Sequence, residues 1–575
     1  MSRRMGHMPG WADRFYSEIN IARLLLMLAM ILPTLLPFHP KPQAQFLMDA
    51  LAVFLLCLSL LLGRPQVTSL QCQQKAVLAT VGLLLAVVSM RFDVSVTATA
   101  YGAYLLLFLL AYAYAAMNGT CISLYVAAAL LVCAVLQSII VFAQTGGLLL
   151  HGWILPLAGA RAVGNVGHPN VLADLMMLGM AALAHPKLAS FGRVIFFLLL
   201  FILGVALGLT GSRTAWLGAA VFVLVGRQGF KKKDGNAGWR LLWAAALLMF
   251  SQFLVALLNA IGWWAVAPAV TRHGTGTSNS VRRYLIEISW QAIQDRPWFG
   301  HGAGTFWRVS VDALQSIPAQ SFGMLAEHAH NFPLQVAVEF GVLVSIAICL
   351  SAAYWWFSRL RFVLDRNAWA LACVGVVAVH SFVEYPLWYA VLLIPCAICM
   401  GVVDASSQVN ESVGPRRNAL FRIAGAFGLV ACLWSAMEWL HLRLAYQQLT
   451  SASEMTARFM GLSARQELAQ ISRFSFFEPQ VAALNIYSLG VYPDDQRPER
   501  ALDLCRSGWK NRPTWFELKT CGEQFALAGK EPELLEVLNV LCKGFPDQHP
   551  ILTDWADEFD RGGKGRLSLR AKACL

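Results

Sequence analysis

Residues 194–209 have the sequence Val-Ile-Phe-Phe-Leu-Leu-Leu-Phe-Ile-Leu-Gly-Val-Ala-Leu-Gly-Leu, and Thr210-Gly-Ser-Arg-Thr214 follows them directly. The first segment contains no charged side chain, which is typical of a helix that crosses a lipid bilayer. A second apolar segment is centred near residue 219, so the chain turns back very tightly between the two. The sequence therefore predicts two membrane helices with Arg213 at the membrane edge between them.

The composition of the whole chain is also typical of a membrane protein. Of its 575 residues, 57% are hydrophobic and 14% are charged, with a mean hydropathy of +0.55. Soluble domains carry about 25% charged residues. Apolar segments recur from Ile19 to Leu440, and the sequence after about Arg443 is polar enough to fold in water. We therefore predict an all-α polytopic membrane protein, with a transmembrane body over residues 1–440 and a C-terminal helical domain over 441–575.

The apolar segments also predict a topology. Spanning helices need about 20 apolar residues, and this rule gives about thirteen spans. Their centres lie near residues 28, 55, 83, 107, 133, 177, 201, 219, 250, 345, 375, 394 and 430. With a cytoplasmic N-terminus, every cytoplasmic loop is basic except the short one near Asn118, as the positive-inside rule requires. Much of the net charge of +12 lies in these loops, so we expect a lipid bilayer and no nucleic acid as partner.

The opposite loops face the periplasm if the membrane is a bacterial inner membrane. The longest of them covers residues 262–331, and the tail emerges on the same side. Ionisable groups at a membrane boundary are costly and are therefore candidates for function. The candidates on this side are Arg91, Arg161, His168, Asn170, Arg213, Arg282, His330, Asn331, His380, Glu384 and Tyr385.

The long loop contains a short amphipathic helix. Ser280 is predicted to cap it, and Pro297 lies past its end. Its apolar stripe consists of Val281, Leu285, Ile288 and Ala292. Arg283 has Glu287 four residues on, so a local ion pair explains it. Arg282 has no such partner and is the better candidate for a ligand contact.

Two histidines, His328 and His330, precede a predicted span that starts near Phe332. No third metal ligand stands out near them, so we expect no metal and no cofactor. A histidine at the membrane boundary can take a proton from a hydroxyl group, which makes His330 a candidate base. The adjacent Asn331 is a candidate for orienting its ring or the substrate. A polar helix cap remains an alternative for both histidines.

Two other segments allow more than one interpretation. Pro297–Phe306 is rich in glycine, but it lacks the strand and the lysine of a phosphate loop, so we expect a flexible turn beneath the substrate. In the segment His380–Tyr389, we expect Trp388 and Tyr389 to be anchors at the membrane interface. Glu384 in the same segment needs a cationic partner or a functional role.

Several arginines, a histidine and a carboxylate are thus predicted on one side of the membrane. Guanidinium groups bind phosphate, and a pair of them suits a diphosphate. A site at the lipid boundary suits a substrate whose tail stays in the bilayer. The arginines would stabilise charge on a departing diphosphate, while the histidine removes the proton of an acceptor hydroxyl. These residues predict glycosyl transfer from a lipid-linked donor.

The chain resembles the O-antigen ligase superfamily, and more closely its branch of bacterial protein O-oligosaccharyltransferases. The segments that carry the resemblance are Thr210–Trp216, Arg282 with Pro297–Gly304, His328–Asn331 with Glu339–Gly341, and His380–Tyr389. The last of these favours the protein-directed branch.

The resemblance implies an undecaprenyl-diphosphate-linked oligosaccharide as donor and a serine or threonine of an exported protein, often a pilin, as acceptor. It assigns the catalytic role to His330 and diphosphate binding to Arg213 and Arg282. We add Glu384 as a second catalytic candidate and expect the remaining candidates to bind substrate. Relatives of this branch tend to have Gln-Pro-Asn where this chain has His168–Asn170, so no role is carried over to the side chain at 168.

The tail has helical patterning that resembles a small tetratricopeptide-like array. Together with the periplasmic loop it is predicted either to bind the acceptor protein or to form a structural cap. Four cysteines lie in the tail, Cys505, Cys521, Cys542 and Cys574, and a disulfide among them is expected with the pairing left open.

Other activities remain as alternatives. An O-antigen ligase would use the same chemistry on lipid A core, and a glycan polymerase is a third member of the class. A transporter would place its charges in mid-membrane, whereas this chain groups them at one face. A scaffold without catalytic activity would not need the arginines.

Overall fold

The computed structural model describes residues 21–63, 74, 77, 96–230, 236–266, 268–269, 276–314, 316, 325–363, 365–405, 415–450, 462–472, 475–491, 498–510, 513–545 and 548–561. In these ranges every named element is helical, which confirms the all-α prediction. The predicted span near residue 83 and the candidate Arg91 lie outside the described residues.

The helices are numbered in chain order. They are α1 (Ile21–Leu35), α2 (Phe46–Leu62), α3 (Val96–Thr145), α4 (Pro169–Ala182), α5 (Gly192–Leu209), α6 (Thr214–Phe230), α7 (Asn236–Ala260), α8 (Gly276–Asp295), α9 (Phe306–Ala313), α10 (Phe332–Phe340), α11 (Val342–Arg361), α12 (Ala368–His380), α13 (Ala390–Asp404), α14 (Pro415–Thr450), α15 (Ala464–Ala469), α16 (Glu478–Val491), α17 (Pro498–Gly508), α18 (Trp515–Leu527), α19 (Glu531–Gly544) and α20 (His549–Arg561). Short 3₁₀ turns occupy Leu150–Gly152, Gly164–Val166, Leu188–Phe191, Asp365–Asn367 and Pro386–Trp388.

The helices confirm a multi-pass membrane protein. Within the described ranges, 6 helical segments are long and apolar enough to span a membrane, and shorter apolar helices accompany them. Each of these segments contains one of the predicted span centres. The total of thirteen spans stays a prediction, because the region near residue 83 is not described.

Helix α3 contains two candidate spans, Ala100–Gly119 and Cys121–Thr145. A straight helix of its 50 residues would be about 75 Å long. Yet residues near both ends contact the region where α1 ends and α2 begins. The Tyr104 hydroxyl donates to Asp49 in α2, and the Gln137 amide donates to a carbonyl at the end of α1. The helix therefore doubles back near the position of the loop predicted at Asn118.

Helix α4 lies at the centre of the membrane body, and all of its residues are buried. Gly179 brings it close to α3, where a Cβ would collide with Ala134. Such close approach through small residues is typical of helices packed in membranes. The buried position of α4 fixes its N-terminal residues, including Asn170, at the end of the body where the candidate residues meet.

The opposite end of the body has its own buried charge cluster. The carboxylate of Asp404, at the end of α13, accepts hydrogen bonds from Tyr112, Trp355 and Arg359. Arg359 belongs to a loop that was predicted to be cytoplasmic. The cluster ties α3, α11 and α13 together at the end that is remote from the candidate residues.

Two local predictions in the long loop are wrong. Helix α8 begins at Gly276, so Ser280 lies inside it and does not cap it. The span predicted to start near Phe332 is divided at Gly341, which has a φ of 93° and has no room for a Cβ beside Trp298. Residues 332–340 therefore form the separate short helix α10. The apolar stripe of α8 is buried as predicted, with Leu285 and Ile288 at its centre.

The C-terminal region is helical, and its core includes part of the long loop. Helix α14 runs through residue 440, so the predicted domain division falls inside a helix. Val311 and Leu314, in and after α9 of the loop, pack in the same cluster as Leu518 and Leu541 of the tail. A disulfide joins Cys505 to Cys521 in α17 and α18. The tetratricopeptide-like arrangement stays a prediction.

Candidate active site

The carboxylate of Glu384 is the meeting point of the candidate residues. It lies in the turn between α12 and α13, where its side chain is 10% exposed. One oxygen accepts hydrogen bonds from Arg282 Nη2 at 3.0 Å and from Asn170 Nδ2 at 3.2 Å. The other oxygen is 2.8 Å from His330 Nδ1. The cationic partner that Glu384 requires is therefore supplied by α8, with His330 beside it.

These contacts determine the charge of Glu384. Burial alone would raise the pKa of this carboxyl group, because the low-dielectric interior disfavours its charged form. The hydrogen bond from His330 and the electrostatic interactions with His330 and Arg282 outweigh burial and lower the pKa to about 2. Glu384 is therefore a carboxylate at neutral pH.

The contact with Glu384 also determines how His330 uses its two ring nitrogens. A carboxylate can only accept hydrogen bonds, so Nδ1 of His330 carries the proton that points at Glu384. In the neutral ring Nε2 is then the acceptor, and the side chain is 32% exposed. A ring held in this tautomer by a carboxylate is suited to act as a base.

His330 has an unusual backbone conformation. Its φ is 49°, in the left-handed region, where a residue with a Cβ costs roughly 1–2 kcal/mol. The residues that follow it are firmly held. Asn331 caps α10 by accepting a hydrogen bond from Leu334 N, and it donates to the carbonyl of Phe382 at 2.7 Å. Asn331 thus fixes the backbone beside His330, and the helix cap considered for the histidines is formed by this residue.

A second group of candidates adjoins Glu384 through Asn170. The amide oxygen of Asn170 accepts hydrogen bonds from Arg161 Nη2 at 2.8 Å and from Ser212 Oγ at 2.9 Å. Arg161 Nε also donates to the carbonyl of Thr210. Arg213 is half-buried in this same turn. The segment before α4 therefore brings Arg161 into the network of Glu384, and the tight turn after α5 places Arg213 next to Ser212, which belongs to the same network.

The two other candidate histidines lie deeper. His168 is the N-cap of α4, and burial lowers its pKa to about 4, so its ring is neutral. His380 is the last residue of α12, is 1% exposed, and contacts Asp174 of α4 through Nδ1 at 2.5 Å. Asp174 was not singled out from the sequence, although it is the one acidic residue in an apolar helix and such residues need a partner.

Aromatic rings surround the imidazole of His330. The ring of Tyr385 lies 4.9 Å from His330 and 4.8 Å from His328, and it stacks on Tyr389. Trp388 contacts the His328 and Tyr385 rings. The prediction that Tyr389 is an interface anchor is wrong, because its side chain is buried with its hydroxyl bonded to Gln45. For the half-buried Trp388 the anchor role stays a prediction.

The glycine-rich segment packs against α10. The backbone N–H groups of His301 and Gly302 donate to carbonyls of Val338 and Glu339, and Gly304 N donates to the Glu339 carboxylate at 2.9 Å. These donors are occupied within the protein, so the segment does not form a phosphate cradle. Among the described residues, no group of three or more potential metal ligands comes together.

The buried carboxyl group of Glu339 gives a prediction about pH. Burial raises its pKa to about 8 from an ordinary value near 4.5, although hydrogen bonds from Gln335, Tyr101 and Gly304 oppose the shift. Between these two pH values the folded protein keeps a proton that the unfolded chain loses. The free energy of unfolding therefore falls as the pH rises from about 4.5 to 8.

The substitution Glu339→Gln should remove this dependence. Relative to the wild type, the variant should gain on the order of 3 kcal/mol of stability between pH 5 and pH 8. Thermal unfolding of the detergent-solubilised proteins at both pH values measures the gain. Glu287→Gln, on the exposed face of α8, is the control and should show no such gain. Parallel behaviour of all three proteins would contradict the prediction.

Two family models match the chain over the regions that carry this site. Residues 198–349 match the model described as O-antigen ligase, and residues 368–556 match the C-terminal model of a virulence factor membrane-bound polymerase. The first match includes Arg282 and His330, and the second includes Glu384 and most of the tail. The fold and the site thus define a multi-pass membrane glycosyltransferase.

Two curated relatives come from Acinetobacter baylyi. A general O-oligosaccharyltransferase is 27% identical over 68% of this chain and 72% of its own length. A ComP-specific O-oligosaccharyltransferase is 22% identical over 48% of this chain and 49% of its own length. The chain is similar to these O-oligosaccharyltransferases and to the O-antigen ligase family, as its sequence motifs predicted, and this similarity supports O-linked glycan transfer.

Proposed function

We propose that the chain transfers an oligosaccharide en bloc from undecaprenyl diphosphate to serine or threonine hydroxyls of exported proteins such as pilins. Transfer takes place at the periplasmic face of the bacterial inner membrane. The observation that carries this proposal is the carboxylate of Glu384, which contacts a candidate base, His330, and a phosphate-binding cation, Arg282, at the same time. The reaction needs a base at the attacking hydroxyl group and a cation at the departing diphosphate.

The reaction forms one bond and breaks another. The acceptor oxygen attacks the anomeric carbon of the first sugar, and its proton passes to Nε2 of His330. The bond between the anomeric carbon and the phosphate oxygen breaks, and the diphosphate leaves with the electron pair. Glu384 holds the imidazole in the required tautomer and stabilises the imidazolium that forms, as carboxylates do for histidine bases in other enzymes.

The arginines serve the departing diphosphate. A guanidinium has five N–H donors, and Arg282 uses one of them on Glu384 while its side chain is 35% exposed. Arg161 donates to Asn170 and to the carbonyl of Thr210, and Arg213 follows Ser212 in the same turn. Positive charge at this position stabilises the negative charge that develops on the leaving group.

Two features support the location and the acceptor. The Cys505–Cys521 disulfide suits an oxidising compartment such as the periplasm. The long loop, which supplies Arg282 and His330, shares a hydrophobic core with the tail. A protein that binds the tail is therefore held close to the base, and we assign acceptor binding to this combined surface.

Arg282 and its neighbour give a paired prediction. Arg282→Ala should lower the transfer rate by about 10²-fold or more, because it removes a charge-stabilising group and leaves Glu384 without its cation. Arg283→Ala should change the rate less than threefold, since Arg283 is exposed and bonded to Glu287 on the same helix. Transfer rates of the two variants at equal protein levels measure the difference. Equal losses would contradict the assignment of Arg282.

Expression in a bacterial cell tests the function itself. The chain is produced with a lipid-linked glycan pathway and a candidate pilin, beside His330→Ala. A glycan-dependent mass shift of the pilin that is lost in the variant is the expected result. Transfer to lipid A core with an unmodified pilin would instead support the O-antigen ligase alternative, which the description of the first matching family model favours.

A further inference from the structure

The conformation of His330 raises the question of what holds the residue on its N-terminal side. A non-glycine residue with φ of 49° persists only where its surroundings fix it. Asn331 secures the chain after His330 through Phe382 and the first turn of α10. The chain before His330 needs a restraint of its own, because rotation about φ of His330 moves this residue relative to Ala329.

Gln335 supplies this restraint. Its side chain extends from the first half of α10 back to the preceding segment, where its Oε1 accepts a hydrogen bond from Ala329 N at 2.7 Å. Its Nε2 donates to Glu339 Oε1, one turn further along α10, at 2.8 Å. Gln335 is 3% exposed. Both ends of a buried amide are thus used, which sets its orientation.

Glu339 anchors this amide to the rest of the protein. Its Oε1 also accepts hydrogen bonds from Gly304 N and, at 3.4 Å, from the hydroxyl of Tyr101 in α3. The glycine-rich segment and a membrane helix therefore hold Glu339, and Glu339 holds Gln335. A continuous set of hydrogen bonds connects the membrane body to the residue that precedes His330.

We propose that Gln335 is a positioning residue for glycan transfer: its amide fixes the backbone N–H of Ala329, the residue before His330, and so keeps the imidazole against Glu384. This inference rests on the proposed role of His330 as the base. Gln335 itself contacts neither substrate. Without its hydrogen bonds the backbone at Ala329 can shift, and Nδ1 of His330 loses its alignment with the carboxylate.

Steady-state transfer kinetics of purified full-length variants test the proposal. Gln335→Leu removes both hydrogen bonds at similar volume. We expect kcat to fall by about 10- to 100-fold, because small displacements of a catalytic group have effects of this size, with KM for the lipid-linked donor within about twofold. Gln252→Leu in α7 is the matched control: Gln252 is equally buried, and its amide atoms have no hydrogen-bond partner in the described part of the chain. It should retain the wild-type kcat.

A double variant distinguishes the loss of these hydrogen bonds from a general folding defect. Gln335→Glu combined with Glu339→Gln exchanges the amide and the carboxyl group and keeps the hydrogen bonds between the same positions. The new carboxylate at position 335 accepts hydrogen bonds from Ala329 N and from the new amide at position 339. The oxygen of that amide accepts the hydrogen bond from Gly304 N. We expect kcat within about threefold of the wild type, as for a set of hydrogen bonds that remains complete.

Three results with the Gln335 variants would overturn the proposal. They are a kcat of Gln335→Leu equal to that of the control, a loss confined to donor KM, and a double variant as slow as Gln335→Leu. His330→Ala separates this inference from the proposed function. If His330→Ala retains transfer, the role of His330 as the base is wrong, and the positioning role is overturned with it. If His330→Ala is inactive while Gln335→Leu is normal, the positioning role alone is wrong.

Discussion

Replacing His330 by alanine should lower the rate of glycan transfer by about 10²- to 10⁴-fold, the usual contribution of a general base. The variant loses the ring whose Nδ1 is held by Glu384 at 2.8 Å, and with it the nitrogen that receives the acceptor proton. Donor binding should change little, because the arginines remain. Single-turnover transfer from a lipid-linked donor to a purified acceptor measures the chemical step directly.

The neighbouring His328 is the control for this experiment. Its ring also contacts Tyr385, at 4.8 Å, so His328→Ala disturbs the same aromatic cluster. It makes no described contact with Glu384, and burial lowers its pKa to about 3, so it carries no charge at neutral pH. We expect less than a tenfold loss. If His328→Ala were as inactive as His330→Ala, the base would have been assigned to the wrong histidine.

The second large effect is expected for Glu384→Gln, which should reduce the transfer rate by about 10²- to 10⁴-fold. The amide is similar in size, but it removes the negative charge that balances Arg282 and stabilises the imidazolium of His330. It can also turn its NH₂ toward His330 and favour the other ring tautomer, in which Nε2 is already protonated. The measurement is the transfer rate at saturating donor.

Glu287→Gln provides the comparison for Glu384→Gln. It neutralises a carboxylate that pairs with Arg283 on the exposed side of α8. Exposed pairs contribute about 0–1 kcal/mol, so transfer should stay near the wild-type rate. Equal activity of Glu384→Gln and Glu287→Gln would exclude a catalytic part for Glu384.

The membrane body could be predicted from the sequence because lipid imposes a simple rule on helix length and polarity. The segment around residue 201, the turn with Arg213 and the helix that contains residue 219 follow from hydropathy alone. The division of the predicted span at Gly341 could not be foreseen, because an apolar run gives no sign that Trp298 packs against its backbone.

The site was predicted in its residues but not in its connections. Glu384 is 54 positions from His330, 102 from Arg282 and 214 from Asn170, and periodicity within one helix holds no information about such contacts. The left-handed conformation of His330 likewise depends on tertiary contacts, since no residue with a Cβ prefers it. Tyr389 was misjudged because an aromatic residue near a membrane boundary suits a buried stack as well as an interface.

The pairing of Asp174 with His380 was within reach of the sequence. A single aspartate in an otherwise apolar segment predicts a polar partner at membrane depth, and His380 is the residue that the structure supplies. The choice among partners still requires the packing of α4 against α12.

The hydrophobic core that α9 shares with the tail has a consequence for exchanging parts between related enzymes. Val311 and Leu314 would be left exposed if the C-terminal helices were removed or replaced by those of a relative. A chimaera designed to accept a different protein should therefore transplant the α9 segment and the tail together. The unit that can be inherited, lost or engineered as a whole thus consists of two stretches of chain, α9 and the tail, which are separated by α10 to α13 and most of α14.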